Sequence, residues 1–165
     1  MVCAERLAMT DPSRPAILCV CLGNICRSPL AEAALRDAAA RAGLDLVVES
    51  AGTGHWHVGE PPDARAQAVA RRHGIDISGY RARQVAPADF ARFTHILALD
   101  RDNFRALARM APADARAELA MLMDAVPGRE GTDVADPYYG DAAGFETTWA
   151  DVRAAAEALV ARLAG

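Results

Sequence analysis

Residues 16–35, AILCVCLGNICRSPLAEAAL, constrain the fold of this chain more than any other stretch. The first six residues form an unbroken apolar run, which is typical of a parallel central strand because both of its faces are buried. The last residues have a helical pattern, and Gly43 is placed to end that helix. A short turn containing Cys21, Gly23 and Arg27 joins the two. The sequence therefore predicts a strand, a tight turn and a helix in immediate succession.

The rest of the chain alternates between strand-like and helix-like segments, which predicts an α/β fold. We expect a three-layer αβα sandwich with a central parallel sheet of about four strands. The segment 117–123 is ambiguous, because its Leu, Met and Ala residues also suit a helix. The expected strands are 16–21, 46–49, 94–99 and 117–123, and the expected helices are 30–42, 64–73, 87–92, 103–110 and 144–163. Ligands of such sheets bind beyond the carboxyl ends of the strands, and Cys21 stands at one of these ends.

We expect residues 15–165 to form one domain, since the length suits a single core and no linker or repeat interrupts the pattern. Residues 1–14 are expected to be a flexible extension. They include Glu5, Arg6 and Asp11 and have no apolar segment of the kind found in secretory signals. No run approaches the ~18 apolar residues of a membrane span. A cytoplasmic location without a membrane partner is therefore expected.

The basic residues are all arginines, 18 in number, and the chain contains no lysine. This excludes the phosphate-binding lysine of nucleotide-binding loops and a Schiff-base lysine. The net charge of −4 gives no global attraction to nucleic acid, which we do not expect as a partner. Recognition of a phosphate group must therefore depend on a local arrangement.

The turn after the first strand has the residue types of an anion-binding loop. Gly23 permits backbone conformations closed to other residues, and Asn24 tolerates the left-handed region. Ser28 is a suitable N-cap and Pro29 suits the first helical position, so the positive end of the helix faces the turn. Arg27 adds a planar fork that matches two phosphate oxygens. Backbone N–H groups of such a loop converge on one point and form an anion nest.

Cys21 lies in the field of this turn, and we expect it to be a thiolate at neutral pH. A thiolate beneath a bound phosphate is a nucleophile directed at phosphorus, and Ser28 can donate its hydroxyl to the sulfur. Two alternatives stand beside this interpretation. The Cys-x5-Arg spacing can arise by chance around an inert buried cysteine. Cys19, Cys21 and Cys26 can also be a metal clamp, although zinc sites favour a second pair of ligands, which the chain lacks.

A phosphate monoester needs its leaving oxygen protonated, which calls for a carboxylic acid near the loop. The segment 135–141, ADPYYGD, is the most unusual candidate. Pro137 restricts the backbone of Asp136, and the rings of Tyr138 and Tyr139 can form the wall of a slot. From these residues alone, a surface turn whose tyrosines pack on the neighbouring helix is the favoured interpretation. The other candidate acids are Asp100, Asp133 and Asp141.

The stretches VCLGNICRSPLAEAAL and DPYYGDAAGFE together resemble the low-molecular-weight protein tyrosine phosphatase family. The resemblance extends over nearly all of residues 16–163 and includes the connecting stretches ARQV and ILALDRDN. It implies that Cys21 is the nucleophile and Arg27 the phosphate clamp. It also implies that Asp136 is the general acid, and later the base that activates water.

The resemblance assigns further roles around this centre. His73 would be a possible partner of Asn24, although its position before Gly74 favours the role of a cation at a helix C-terminus. Trp56, which can equally be a packing residue, would line the substrate cleft with Tyr138 and Tyr139. Cys26 would form a reversible disulfide with Cys21, or be a loop residue facing the core. The implied phosphate-binding residues are Leu22, Gly23, Asn24, Ile25, Cys26 and Ser28.

Three alternative functions are less consistent with this sequence. A thiol-linked arsenate reductase needs further cysteines far along the chain, and none follows Cys26. A protein-arginine phosphatase typically has threonine where this loop has Ile25. A module that only binds phosphotyrosine needs neither Cys21 nor Asp136. We therefore expect a phosphotyrosine phosphatase that forms a cysteinyl-phosphate and needs no metal or organic cofactor. Its partners would be a tyrosine-phosphorylated protein or a small aryl phosphate, with inorganic phosphate as product.

Overall fold

The computed structural model describes residues 14–165 as alternating strands and helices. The strands are β1 (Ala16–Cys21), β2 (Val47–Gly52), β3 (His95–Ala98) and β4 (Glu118–Met121). The helices are α1 (Arg27–Ala42), α2 (Ala64–Arg72), α3 (Asp89–Arg92), α4 (Arg101–Met110) and α5 (Ala142–Ala164), with a 3₁₀ turn at Leu122–Ala125. The alternation expected from the sequence is therefore present along the described chain.

The four strands form one parallel sheet in the order β2-β1-β3-β4. Alternate residues of β1 pack into two different cores. Ile17 and Cys19 belong to the core beneath α1, α2 and α5, whereas Leu18 and Val20 belong to the core beneath α3 and α4. This double burial explains why β1 is apolar at every position. The predicted three-layer αβα sandwich with a parallel sheet of four strands is confirmed.

The order of the strands creates a crevice at one edge of the sheet. The chain leaves β1 toward β2 on one side and leaves β3 toward β4 on the other. The segments that follow β1 and β3 therefore run in opposite directions and leave a crevice between the carboxyl ends of these two strands. Open α/β sheets bind ligands in such a crevice. Cys21 ends β1 at this point, and Asp100 follows β3 two residues after Ala98.

β2 and β4 differ from their predicted bounds for identifiable reasons. β2 extends to Gly52 instead of ending at Glu49, because it pairs with the whole length of β1, from Ala16 opposite Val47 to Cys21 opposite Gly52. The ambiguous segment 117–123 is a strand only as far as Met121, after which the chain turns into the 3₁₀ segment. Tertiary pairing thus overrides local propensity at both places.

The prediction that Ser28 caps α1 and that Pro29 is its first residue is wrong. The helix begins at Arg27, its N-cap is Cys26, and no side chain caps it. The hydroxyl of Ser28 is engaged by Cys21 and Asn24 instead. The predicted end at Gly43 is confirmed, since this residue has φ = 67° in the left-handed region and its N–H is bonded to the last turn.

Aspartate caps move two other helix starts ahead of their predicted positions. Asp100 accepts a hydrogen bond from the Asn103 N–H at 2.7 Å, so α4 begins at Arg101. Asp141 caps α5 in the same way through the Gly144 N–H at 3.2 Å. α3 and β3 lie within the segments predicted for them but are shorter.

The predicted flexible extension, residues 1–14, lies outside the described residues except for Arg14. Its Nε donates a hydrogen bond to Asp45 Oδ1 at 3.0 Å, beside the start of β2. None of the helices within residues 14–165 combines the length and apolar composition that crossing a membrane requires.

Candidate active site

The loop between β1 and α1, residues 21–26, curls around the thiol of Cys21. Asn24 has φ = 57°, the left-handed conformation expected of it. The expectation that Gly23 supplies such a conformation is wrong, because its φ lies outside the positive range. A Cβ on Gly23 would lie 3.1 Å from His57 Cδ2, so this glycine makes room for the neighbouring loop. The curl of the loop therefore depends on Asn24.

The sulfur of Cys21 is held by two groups of its own loop and helix. The Asn24 N–H donates to Cys21 Sγ at 3.3 Å, and Ser28 Oγ lies 3.0 Å from the same sulfur. Asn24 Nδ2 donates to Ser28 Oγ at 2.8 Å. Because Ser28 accepts this bond, its own proton is available for the sulfur. Both contacts hold the sulfur in place at the carboxyl end of β1.

Asn24 also connects the loop to two other elements. Its Nδ2 donates to Ser50 Oγ at 3.0 Å, and its Oδ1 accepts from the Arg83 N–H at 3.0 Å. Ser50 in turn donates to Glu32 Oε1 at 2.6 Å. Burial raises the pKa of Glu32, an effect that the bond from Ser50 opposes. The left-handed residue is thus fixed by bonds to β2 and to the segment before α3.

The prediction that His73 is a partner of Asn24 is wrong. His73 Nε2 lies 3.2 Å from Glu146 Oε2, and its ring stacks on Trp149 with centroids 5.0 Å apart. Both partners belong to α5. His73 is the C-cap residue of α2, the position that the alternative interpretation gave it.

Arg27 is the buried cation of the site, with 3% of its surface exposed. Its Nη1 donates to Asp100 Oδ2 at 2.7 Å and to the Val134 carbonyl at 3.0 Å. Its Nη2 lies 3.6 Å from Asp136 Oδ2. Burial disfavours the charged guanidinium, but Cys21, Asp100 and Asp136 more than offset this, so the pKa of Arg27 is raised.

Among the four candidate acids, Asp136 alone lines the pocket above Cys21. Its side chain is 44% exposed, and its Oδ1 accepts the Tyr138 N–H at 3.1 Å. The others have structural partners: Asp100 caps α4 and binds Arg27, Asp133 accepts the Arg101 N–H at 3.0 Å, and Asp141 caps α5. Geometry therefore favours Asp136 as the proton donor.

The pocket above the thiol is an open cavity of about 260 Å³ with a buried floor and an exposed aromatic rim. Cys21 at its floor is 3% exposed, whereas Trp56 is 63% and Tyr139 is 95% exposed. All three predicted cleft residues line it, as do the predicted Leu22, Gly23, Ile25 and Cys26. His57, which the sequence did not single out, lines it too. The predicted Asn24 and Ser28 lie behind this floor and support the thiol.

The three described cysteines do not form the metal clamp considered from the sequence. Cys19 and Cys26 are buried, and burial is the main cause that raises the pKa of each thiol above its ordinary value. All three are free thiols. Across residues 14–165, no group of three or more His, Cys, Asp or Glu side chains is arranged to hold a metal ion.

Several supporting residues were missed because their roles depend on distant partners. Asp100 was considered only as an acid, and its contact with Arg27 spans 73 positions in the chain. Ser50 follows a strand-like segment and carries no local signal for its bond to Asn24. Asp63 offered a usable signal, since an aspartate before a helical pattern favours an N-cap, and it caps α2 through the Arg65 N–H.

Comparison with known proteins agrees with this geometry. The family model for low molecular weight phosphotyrosine protein phosphatase matches residues 16–165. The low molecular weight protein-tyrosine-phosphatase YfkJ of Bacillus subtilis is 42% identical over 149 residues, which cover 89% of this chain and 94% of the relative.

Solved structures give the same result. A protein tyrosine phosphatase from Entamoeba histolytica has a TM-score of 0.85 at 34% identity, covering 90% of this chain and 96% of that one. A drosophila arginine phosphatase has a TM-score of 0.84 at 30% identity, covering 88% and 96%. This chain belongs to the low molecular weight phosphotyrosine protein phosphatase family, whose members hydrolyse phosphoric monoesters.

Proposed function

We propose that this protein hydrolyses aryl phosphate monoesters, phosphotyrosine in particular, through a cysteinyl-phosphate on Cys21. The observation that carries the proposal is the arrangement at the pocket floor. A recessed thiol ends β1, and a buried arginine lies at the start of α1. Asp136, an accessible carboxylate, lies on the same pocket. A nucleophile, an anion clamp and a proton donor thus converge on one space.

In the first step, the loop N–H groups and Arg27 bind the three non-bridging phosphate oxygens. The Cys21 sulfur attacks phosphorus while the bond between phosphorus and the aryl oxygen breaks. Protonated Asp136 gives its proton to that oxygen, so the aryl group leaves as a neutral phenol. The non-bridging phosphate oxygens change their geometry in the transition state. The planar fork of Arg27 contributes to the rate by stabilising their negative charge in that geometry.

In the second step, water attacks the phosphorus of the cysteinyl-phosphate. The carboxylate of Asp136 removes a proton from this water, which regenerates the acid for the next cycle. The bond between sulfur and phosphorus breaks, and the electron pair returns to Cys21. A hydrogen bond from Ser28 stabilises the departing thiolate, and inorganic phosphate is released.

The shape of the pocket supports an aromatic substrate. The thiol lies below a rim made by Trp56 and the two tyrosines, so a short phosphoserine side chain has less reach than a phosphotyrosine. Aromatic walls also bind a flat ring well. The arginine phosphatase shares the overall fold, so the fold does not decide between the two substrates. Ile25 lines the pocket with an apolar side chain, which favours an aryl group over a guanidinium.

Hydrolysis of phosphate from matched peptides tests this proposal. Purified protein with a metal chelator is given peptides that differ only in carrying phosphotyrosine, phosphoserine or phosphoarginine. We expect the phosphotyrosine peptide to be hydrolysed fastest, and the Cys21→Ser variant to be inactive on all three. A faster reaction with phosphoarginine would overturn the substrate class, and turnover by the Cys21→Ser variant would overturn the nucleophile.

A further inference from the structure

We propose that Arg65 is a positioning residue that holds the loop of residues 136–140, and through it Asp136, over the nucleophile. This inference rests on the proposed function, because it concerns the acid of that same reaction. Arg65 is the second residue of α2 and does not line the pocket itself. Its effect on the reaction must therefore pass through the loop.

The guanidinium of Arg65 has two hydrogen bonds to backbone carbonyls of the acid loop. Nη2 donates to the Tyr138 carbonyl at 2.9 Å, and Nη1 donates to the Gly140 carbonyl at 3.1 Å. Within residues 14–165, these are the hydrogen bonds that join residues 136–140 to the rest of the chain. The other bonds of the loop, from the Tyr138 N–H and the Gly140 N–H, are internal to it.

The other side of the same guanidinium is fixed to the N-cap of α2. Nε donates to Asp63 Oδ1 and Nη2 donates to Asp63 Oδ2, both at 3.0 Å. The Asp63 N–H donates to the Ile25 carbonyl of the phosphate loop at 2.8 Å. A continuous chain of bonds therefore runs from the loop that holds the nucleophile, through Asp63 and Arg65, to the loop that holds the acid.

Aromatic packing restricts the orientation of Arg65. Its guanidinium carbon lies 4.7 Å from the ring centroid of Phe145, which is fully buried, and 5.7 Å from that of Tyr138. Guanidinium groups bind favourably over aromatic faces, so the two rings restrict where the fork can lie. An ammonium group lacks this planar fork and cannot make the same combination of contacts.

Asp136 has few restraints of its own, which is why this clamp matters. Its side chain is nearly half exposed, and its contact with Arg27 is an ion pair at 3.6 Å. A misplacement of about 1 Å in a reacting group can cost about 10²-fold in rate. Release of the carbonyls of Tyr138 and Gly140 therefore impairs proton donation while leaving the phosphate loop intact.

The test compares Arg65→Ala and Arg65→Lys with a control, Arg72→Ala. Arg72 lies on the same helix and makes a surface ion pair with Glu146, but it does not touch the acid loop. The readouts are kcat/KM for phenyl phosphate and for p-nitrophenyl phosphate, the inhibition constant of inorganic phosphate, and thermal unfolding. Phenyl phosphate has the poorer leaving group and so depends more on the acid.

We expect Arg65→Ala to lose about 10- to 100-fold in kcat/KM for phenyl phosphate and less than about threefold for p-nitrophenyl phosphate. Arg65→Lys should lose a similar amount for phenyl phosphate, because it retains the charge but not the fork. The inhibition constant of phosphate should not change in either variant. Arg72→Ala should match the wild type in every kinetic readout.

A double variant distinguishes positioning from a merely structural role. Because Arg65 is proposed to act through Asp136, adding Arg65→Ala to Asp136→Asn should cause little further loss. Full additivity, or equal losses for both leaving groups, would overturn the inference, as would wild-type rates in Arg65→Ala. An inactive wild type would overturn the proposed function and this inference with it, whereas an active wild type with an unchanged Arg65→Ala variant overturns the inference alone.

Discussion

Arg27 has more contacts at the site than a phosphate clamp alone requires. One terminal nitrogen is engaged by Asp100 and by the Val134 carbonyl, and the other lies near Asp136. We expect Arg27→Lys to lose most activity in kcat as well as in KM, because an ammonium cannot meet these partners and a phosphate together. Steady-state kinetics with p-nitrophenyl phosphate measure both parameters. Near-normal values in this variant would remove Arg27 from the reaction.

Asp136→Asn is expected to slow the enzyme in proportion to the basicity of the leaving group. General acids contribute ~10²–10⁴-fold, and the need falls as the leaving oxygen becomes less basic. A series of substituted phenyl phosphates measures this dependence through kcat/KM. Asp133→Asn and Asp141→Asn serve as controls. The side chains of Asp133 and Asp141 accept hydrogen bonds from backbone N–H groups and do not line the pocket. An equal loss for all leaving groups would assign Asp136 a structural role instead.

At the scale of single residues, the sequence predicted the residues that line the pocket better than the residues behind them. Cys21, Arg27 and Asp136 are recognisable because their chemistry and spacing are local or belong to a resemblance. The left-handed Asn24 was predicted from its side chain, but the partner proposed for it, His73, was wrong. The true partners, Ser50 and the Arg83 N–H, come from other elements, and no local pattern reports such contacts.

At the scale of elements, Asp100 links α4 to the site by two separable functions. It caps the helix through Oδ1 and binds Arg27 through Oδ2. We expect Asp100→Asn to keep the cap and lose the ion pair, whereas Asp100→Ala loses both. Thermal unfolding should therefore show a loss of about 1 kcal/mol in unfolding free energy for the alanine variant relative to the asparagine variant.

The kinetics of the same pair complete the test. Both variants should show weaker inhibition by inorganic phosphate than the wild type, because Arg27 has lost its charged partner in each. Phosphate inhibition that stays at the wild-type level in Asp100→Asn would show that the ion pair does not orient Arg27.

The helices and strands themselves were largely predictable from the sequence, but several of the residues at which they begin or end were not. The apolar run of β1 and the glycine after α1 are strong local signals, and both are confirmed. The extension of β2 through Ser50 to Gly52 arises from pairing with β1, which no local propensity reports. The early starts of α4 and α5 were recoverable in principle, since aspartate before a helical pattern is a known cap.

For the whole molecule, the buried thiols predict a loss of stability in alkali. Burial raises the pKa of Cys19 and of Cys26, and it raises that of Tyr80 to about 12. Unfolded thiols lose their protons above about pH 8.5, while the folded ones retain them. The folded state then binds more protons than the unfolded state, so the free energy of unfolding falls as pH rises.

Denaturant unfolding between pH 8 and 11 measures this effect. Each fully buried thiol should contribute a slope of roughly 1 kcal/mol per pH unit above about pH 8.5. Cys19→Ala is the informative variant, because Cys19 is fully buried and lies away from the pocket. Its slope should be shallower than that of the wild type. The same slope in both proteins would show that Cys19 does not contribute to the pH dependence of the unfolding free energy.

For the whole molecule, we propose that the sheet, the loop and the helix end bring a phosphate above the thiol of Cys21, which then carries the phosphoryl group. The most direct measurement uses Asp136→Asn with p-nitrophenyl phosphate. Its good leaving group needs little acid, whereas water attack still lacks its base. After rapid denaturation, mass spectrometry should find one phosphoryl group per chain, on Cys21. A quenched enzyme without phosphate on Cys21, or with phosphate on another residue, would contradict the account.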